Sequence, residues 1–163
     1  MTSILIRKAE RSDLPAIQRL LSTYFLDMEE LKPEDFILAE EEGKVLGCAA
    51  LIRSGSSESV SSEKEFLEIH SIAVHPNFRE KGIGSRLVNQ LILTSLGKDT
   101  ELYVRTTAPG FFEKIGFVRI PDSEKLRLWE DCARCEHFES CTQHALKYRK
   151  NRESGAAGNP GQV

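Results

Sequence analysis

Apolar positions along the chain recur in two periods, and the switches between those periods mark out its elements. Ile4-Leu5-Ile6-Arg7 reads as a short strand. Ser12-Asp13-Leu14-Pro15 then offers an N-cap and a first-turn proline. Leu14, Ile17, Leu20, Leu21, Tyr24 and Phe25 follow at three- and four-residue steps. That spacing predicts a helix with one apolar face turned to the core, in a region closed by Pro33. Phe36-Ile37-Leu38-Ala39 and the run from Val45 to Ile52 are joined by Glu42-Gly43, which predicts an antiparallel hairpin. Ser54 to Lys64 is Ser-rich and polar, and reads as a mobile loop.

Phe66 to Val74 predicts the next strand, stopped at His75-Pro76 because proline cannot donate to a ladder. Gly82-Ile83-Gly84 follows, and then Ile83, Leu87 and Leu91, with Val88 and Ile92 beside them, form a helical stripe that ends near Gly97. A strand over Leu102-Tyr103-Val104-Arg105, a short helix from Pro109 to Lys114 and a returning strand from Gly116 to Ile120 complete the pattern. Hairpins mixed with strand-helix-strand units predict an α/β (mixed α+β) sheet covered by helices. Residues 1–148 read as a single domain, with 132–148 as a Cys-rich C-terminal extension; residues 149–163 lose all periodicity and read as a disordered or appended tail.

Composition narrows the class. At 163 residues, 40% hydrophobic and 29% charged, the chain fits one ordinary globular domain and lies far from disordered, collagenous or disulfide-stapled compositions. With 22 Lys+Arg against 25 Asp+Glu the net charge is -3, so no global field attracts nucleic acid or an anionic membrane, and any anion site must be built locally. No window approaches the ~20 apolar residues of a membrane span, and the first residues carry no apolar leader. The expectation is a cytoplasmic protein with neither nucleic-acid nor membrane partner. Homodimerisation stays open, because dimer surfaces in such folds are ordinary apolar patches and strand edges.

The segment Arg79-Glu80-Lys81-Gly82-Ile83-Gly84-Ser85 lies between a predicted strand and a predicted helix, where free backbone N–H groups and the positive helix end converge. Glycines let an anion approach the backbone, and Arg79 and Lys81 add positive charge, so the turn can hold a pyrophosphate. It is no Walker loop, since no Gly-Lys-Ser/Thr ends it, and it lacks the full GxGxxG spacing. A tight glycine-capped turn is the plainer alternative.

From Leu67 to Gly84, the run LEIHSIAVHPNFREKGIG resembles the central acetyl-CoA motif of the GNAT N-acetyltransferases, and Phe111-Phe112-Glu113-Lys114-Ile115-Gly116-Phe117 resembles the family's second motif. The resemblance implies a central, mostly antiparallel twisted sheet flanked by helices, with acetyl-CoA as cosubstrate. Its pyrophosphate would sit on Arg79, Glu80, Lys81, Gly82, Ile83, Gly84 and Ser85, and its pantetheine arm along Ile72, Ala73 and Val74. Glu68 matches the glutamate that serves as base in some members, and His70 is a second candidate. Period-two alternation places Glu68, His70, Ile72 and Val74 on one face, unless a bulge changes the parity. Phe112 stands, beside the cofactor, where many relatives carry a proton-donating tyrosine, so the thiolate would leave unprotonated or take its proton from water, or the chain would be a binding module without turnover.

A narrower resemblance, carried by the same strand, by Arg105-Thr106-Thr107-Ala108-Pro109 and by Trp129-Glu130-Asp131-Cys132-Ala133-Arg134-Cys135 with Cys141, is to the short single-domain N-acetylglutamate synthases. It implies L-glutamate as acceptor and a place in arginine biosynthesis; spacing alone supports only a small amine or amino acid. A dianionic substrate needs cations, and Arg53, Arg105 and Lys125 are the candidates. Another small amine or a protein amine is the alternative acceptor. Cys132-x2-Cys135-x5-Cys141-x2-His144 supplies the donor number of a structural zinc, with His137 as a competing ligand and with Cys141 and His144 on one helical face. Inert reduced thiols and a redox disulfide are the alternatives.

Overall fold

The computed structural model describes residues 3–26, 28, 30–54, 66–95, 100–129, 135–136 and 141–149. They fall into two compact units, Met1–Thr100 and Glu101–Val163. Of the predicted loop from Ser54 to Lys64, Ser54 still belongs to a strand and residues 55–64 lie outside the described residues, as do residues 150–163 of the predicted tail.

The first unit is an antiparallel meander of β1 (Leu5–Lys8), β2 (Phe36–Glu41), β3 (Lys44–Ser54) and β4 (Phe66–Val74), in that order, with α1 (Leu14–Thr23) and α2 (Ile83–Ser95). The predicted hairpin forms at Glu42 (φ 53°) and Gly43 (φ 81°), the doubly left-handed turn that matches strand twist. α1 buries Ile17, Leu20 and Leu21 in one cluster with Leu38, Cys48, Ala50 and Ala73. Burial pushes the Cys48 thiol up to about 12, so it serves as a small neutral core side chain. On the opposite face α2 comes so close that a Cβ at Gly47 would lie 3.2 Å from the side chains of both Ile83 and Leu87. Gly47 is therefore the point where helix and sheet touch.

α1 ends differently from the prediction. Tyr24 is its C-cap, Phe25 N–H donates to Ser22 O (3.0 Å) and Leu26 N–H donates to Leu21 O (2.9 Å), which is a Schellman motif with Phe25 in the left-handed position at φ 61°. The chain reversal throws Phe25 off the apolar face, and it is 97% exposed. Pro33 opens a short 3-10 turn, Pro33–Asp35, that leads into β2.

The second unit holds β5 (Leu102–Thr106), α3 (Pro109–Glu113), β6 (Phe117–Arg119), α4 (Ser123–Leu128) and β7 (His144–Tyr148). β7 pairs antiparallel with both β5 and β6 and lies between them. The sequence pattern predicts neither α4 nor β7. It also expects a helical face at Cys141 and His144, whereas residues 141–143 are irregular and His144 opens the strand. Strand form wins because Ala145 and Leu146 are buried between two partners, a tertiary effect that a five-residue window does not reveal. Phe112 is buried edge-on against Phe111 and Phe117, and Phe117 stacks at a tilt on Tyr148.

Mostly antiparallel strands flanked by helices are the expected mixed α/β fold. No helix of the described residues is long and apolar enough to cross a membrane.

Candidate functional site

β4 carries the first group of candidates, and a bulge arranges them. Ala50 pairs with Ser71 but the next β3 residue, Leu51, pairs with Ile69, which leaves His70 as the extra residue. The shift reverses parity. Glu68 faces Ile52 across the ladder, on the same side as Ala50 with Ser71 and Cys48 with Ala73, so it lies on the α1 side and not with Ile72 and Val74. The alternation expected from sequence is thus corrected: the bulge separates Glu68 from Ile72 and Val74 and leaves His70 as the extra residue. Glu68 is 3% exposed, which excludes the plain reading of a surface carboxylate at a strand start. His70 is half-buried, with Nδ1 2.9 Å from Ser71 Oγ.

Past the bulge the ladder is regular. His75 N–H donates to Leu46 O at 2.7 Å, so by alternation Ala73 and Ser71 bond toward β3, while Ile72 and Val74 aim their N–H and C=O groups at the strand's other edge. Val74 O accepts from the Tyr24 hydroxyl at 2.5 Å. β4 then gives way to a 3-10 turn, Pro76–Phe78, closed by Asn77 N–H on His75 Nδ1 at 3.1 Å.

The predicted anion turn follows at once. Glu80 (φ 64°) and Gly82 (φ 82°) are both left-handed and bracket Lys81. The first i→i−4 bond of α2 runs from Arg86 N to Gly82 O at 3.0 Å, so the amides of Gly82, Ile83, Gly84 and Ser85 precede the helical ladder. Nothing stands within 4 Å of where a Gly82 Cβ would be, so this glycine serves backbone conformation rather than close packing. Arg79, Glu80 and Lys81 are exposed, and among the described residues neither Arg79 nor Lys81 has an acidic partner. Arg79 lies over the Tyr24 ring, its guanidinium carbon 5.9 Å from the centroid. Exposed cations beside amides that precede the helical ladder suit a polyanionic ligand.

The cations proposed for a substrate lie on different supports. Arg53 is on β3 in the first unit. Arg105, on β5 in the second, stacks on Trp129 at 4.5 Å, and Trp129 meets Tyr103 edge-on. Lys125 is 1% exposed in α4; its ammonium donates to Gln143 O at 2.5 Å and lies 3.5 Å from Asp122 Oδ1 and 3.8 Å from Cys141 Sγ. That lysine ties the approach to β7 onto α4. Cys135 and Cys141 are exposed, while Cys132 and His137 lie outside the described residues. Among the described residues no three His, Cys, Asp or Glu side chains converge as a metal requires.

Residues 32–119, which contain β4, the turn, α2 and α3, match the acetyltransferase (GNAT) domain family. The chain belongs to the GNAT acetyltransferase family. It is 30% identical over 153 residues to an uncharacterized N-acetyltransferase of Chlorobaculum tepidum, covering 86% of this chain and 93% of that one. It is also 30% identical over 129 residues to an amino-acid acetyltransferase of Mycobacterium tuberculosis, covering 71% and 68%. Among solved structures, the N-acetylglutamate synthase of Neisseria gonorrhoeae complexed with coenzyme A and N-acetyl-glutamate superposes with a TM-score of 0.73 at 24% identity, over 91% of this chain. That match spans only 35% of the synthase, so its likeness is one of fold. A Mycobacterium tuberculosis protein solved in complex with CoA matches at TM-score 0.65 and 25% identity, covering 90% of this chain and 99% of that one.

Two features of this GNAT chain escaped the sequence pattern. Tyr24 counted there only as a member of an apolar stripe, although the hydroxyl of a half-buried tyrosine seeks a partner and the carbonyl that supplies it belongs to β4. The bulge at His70 left no sequence signal: no glycine or proline marks it.

Proposed function

We propose that this GNAT chain transfers the acetyl group of acetyl-CoA to the amine of a small substrate, with L-glutamate as the favoured acceptor. The observation that carries the cosubstrate is the turn from Arg79 to Ser85: left-handed Glu80 and Gly82, amides preceding the α2 ladder, and two exposed cations without acidic partners among the described residues. These groups would hold the pyrophosphate, while Ile72 and Val74, whose backbone groups aim away from β3, would line the pantetheine arm. The glutamate reading is supported by the amino-acid acetyltransferase relative and by the narrower motif resemblance. Cytoplasmic placement, as expected from the cysteine usage of the sequence, is part of the same reading.

Acetyl-CoA supplies an activated acyl carbon. The acceptor is cationic at neutral pH and must lose a proton before its lone pair can form the new N–C bond as the C–S bond breaks. Glu68 is the base in this reading, taking that proton directly or through one water, with His70 as the alternative at the bulge. Phe112, buried among aromatic rings, has no proton to give to the leaving thiolate. A thiolate with an ordinary pKa near ~8.5 leaves without one or is protonated by water.

Incubating the protein with acetyl-CoA and a panel of amino acids and polyamines, with products identified by mass spectrometry, tests this directly. Selective N-acetylglutamate supports the full reading; acetylation of a different amine keeps the acetyltransferase and removes glutamate. CoA binding with no acetylated product would favour a binding module. On the acetylated acceptor, Glu68→Gln is expected to lower turnover by ~100-fold or more while CoA affinity stays within about twofold; full activity would remove Glu68 as base.

A further inference from the structure

The C-cap of α1 touches two parts of the site that a 3-10 turn separates along the chain. Val74 ends β4, and Arg79 begins the anion turn only after the intervening Pro76–Phe78 turn. Tyr24 touches both: its hydroxyl donates to Val74 O at 2.5 Å and its ring lies under the Arg79 guanidinium at 5.9 Å. We propose that Tyr24 is a positioning residue for CoA, holding the end of the pantetheine strand and pre-stacking Arg79 for the pyrophosphate. The proposal rests on the reading of the turn as a CoA site.

The physical case has two halves. Val74 O points away from β3 and accepts from the tyrosine hydroxyl. Arg79 is exposed on a flexible stem, and immobilising such a side chain on a phosphate costs rotamer freedom. A ring beneath the guanidinium removes part of that cost before the ligand arrives and leaves the edge N–H groups aimed outward. The Schellman reversal at Phe25 stops α1 directly after Tyr24 and so fixes where this side chain sits.

The test is a double-mutant cycle on CoA binding, read by titration calorimetry on the full chain. Tyr24→Phe removes only the hydroxyl and Tyr24→Met removes the ring face as well; each is made with and without Arg79→Ala. With Arg79 present, Tyr24→Phe is expected to weaken CoA by ~3-fold and Tyr24→Met by a further ~3-fold. With Arg79→Ala, the further loss from Phe to Met should vanish, because the ring acts through Arg79. An equal further loss in both backgrounds would mean a merely structural ring and would overturn the proposal. Should Tyr24→Met fail to fold, Tyr24→Phe decides alone: a folded variant with unchanged CoA affinity overturns it. Failure of the unmodified chain to bind CoA would remove the parent reading; binding that is indifferent to every Tyr24 change removes only this one.

Discussion

Arg79 and Lys125 are both cations that the sequence offers to an anionic ligand, and the two units use them in opposite ways. Lys125 is enclosed, with its ammonium on Gln143 O and beside Asp122, at the point where the chain enters β7. Arg79 stands exposed at the start of the α2 turn, rests on a ring and has no acidic partner among the described residues. A buried charge that the fold satisfies is part of the scaffold; an exposed charge held in one place beside the amides that open a helix is available to something else.

The contrast can be broken by deleting each cation in turn. Lys125→Ala leaves Gln143 O without its donor and opens a void, so it should cost about 3 kcal/mol in urea denaturation, with CoA affinity of the folded protein within about twofold of normal. Arg79→Ala should do the reverse: stability within about 0.5 kcal/mol and CoA affinity down by ~10-fold. If Lys125→Ala proved stable and Arg79→Ala proved unfolded, the assignment of scaffold and site would be inverted.

Arg7 sharpens the comparison because it is a satisfied cation within the first unit. It bonds both oxygens of Asp13 at 2.9 Å and Glu40 at 2.6 Å, pinning β1 to the turn before α1 and to β2. The Arg7 guanidinium holds the Asp13 carboxyl below its usual range. The folded state then binds fewer protons than the unfolded chain near that range, so the stabilisation is present above pH ~4 and is lost as pH falls through the lower folded value. Asp13→Asn should cost about 1 kcal/mol at pH 6, and the difference from the unmodified protein should shrink as the pH falls through the lowered Asp13 range. A gap that persists in acid would mean packing rather than charge.

How far these roles were legible depends on whether the signal is local. The turn at Glu80 to Gly84 was readable because glycine spacing, a preceding strand and a following apolar stripe are contiguous along the chain. The hairpin at Glu42-Gly43 was readable for the same reason. β7 was not, because His144–Tyr148 becomes a strand by burial between β5 and β6, which are remote in sequence. The face of Glu68 was not either: one extra residue at His70 reverses it, and period-two counting has no term for that. Lys125 looks like any surface lysine until α4 and the entry to β7 close around it.

Phe25 is the apolar counterpart of Arg79, a side chain the fold leaves unsatisfied, and it gives the smallest and most diagnostic effect. At φ 61° it occupies the position where helices prefer glycine, and at 97% exposure it gains almost nothing from burial. A left-handed non-glycine residue costs roughly 1–2 kcal/mol, part of which glycine returns through its greater freedom in the unfolded chain. Phe25→Gly should therefore stabilise the protein by about 0.7 kcal/mol, a rise of about 2 °C in Tm for a chain of this size. Phe25→Ala keeps a Cβ at the same φ and should change stability by less than about 0.3 kcal/mol, which separates backbone relief from loss of the ring. If Phe25→Gly instead lowers Tm, and does so more at high protein concentration, the ring is buried against a second copy of the chain, and its exposure in one copy marks an interface rather than strain.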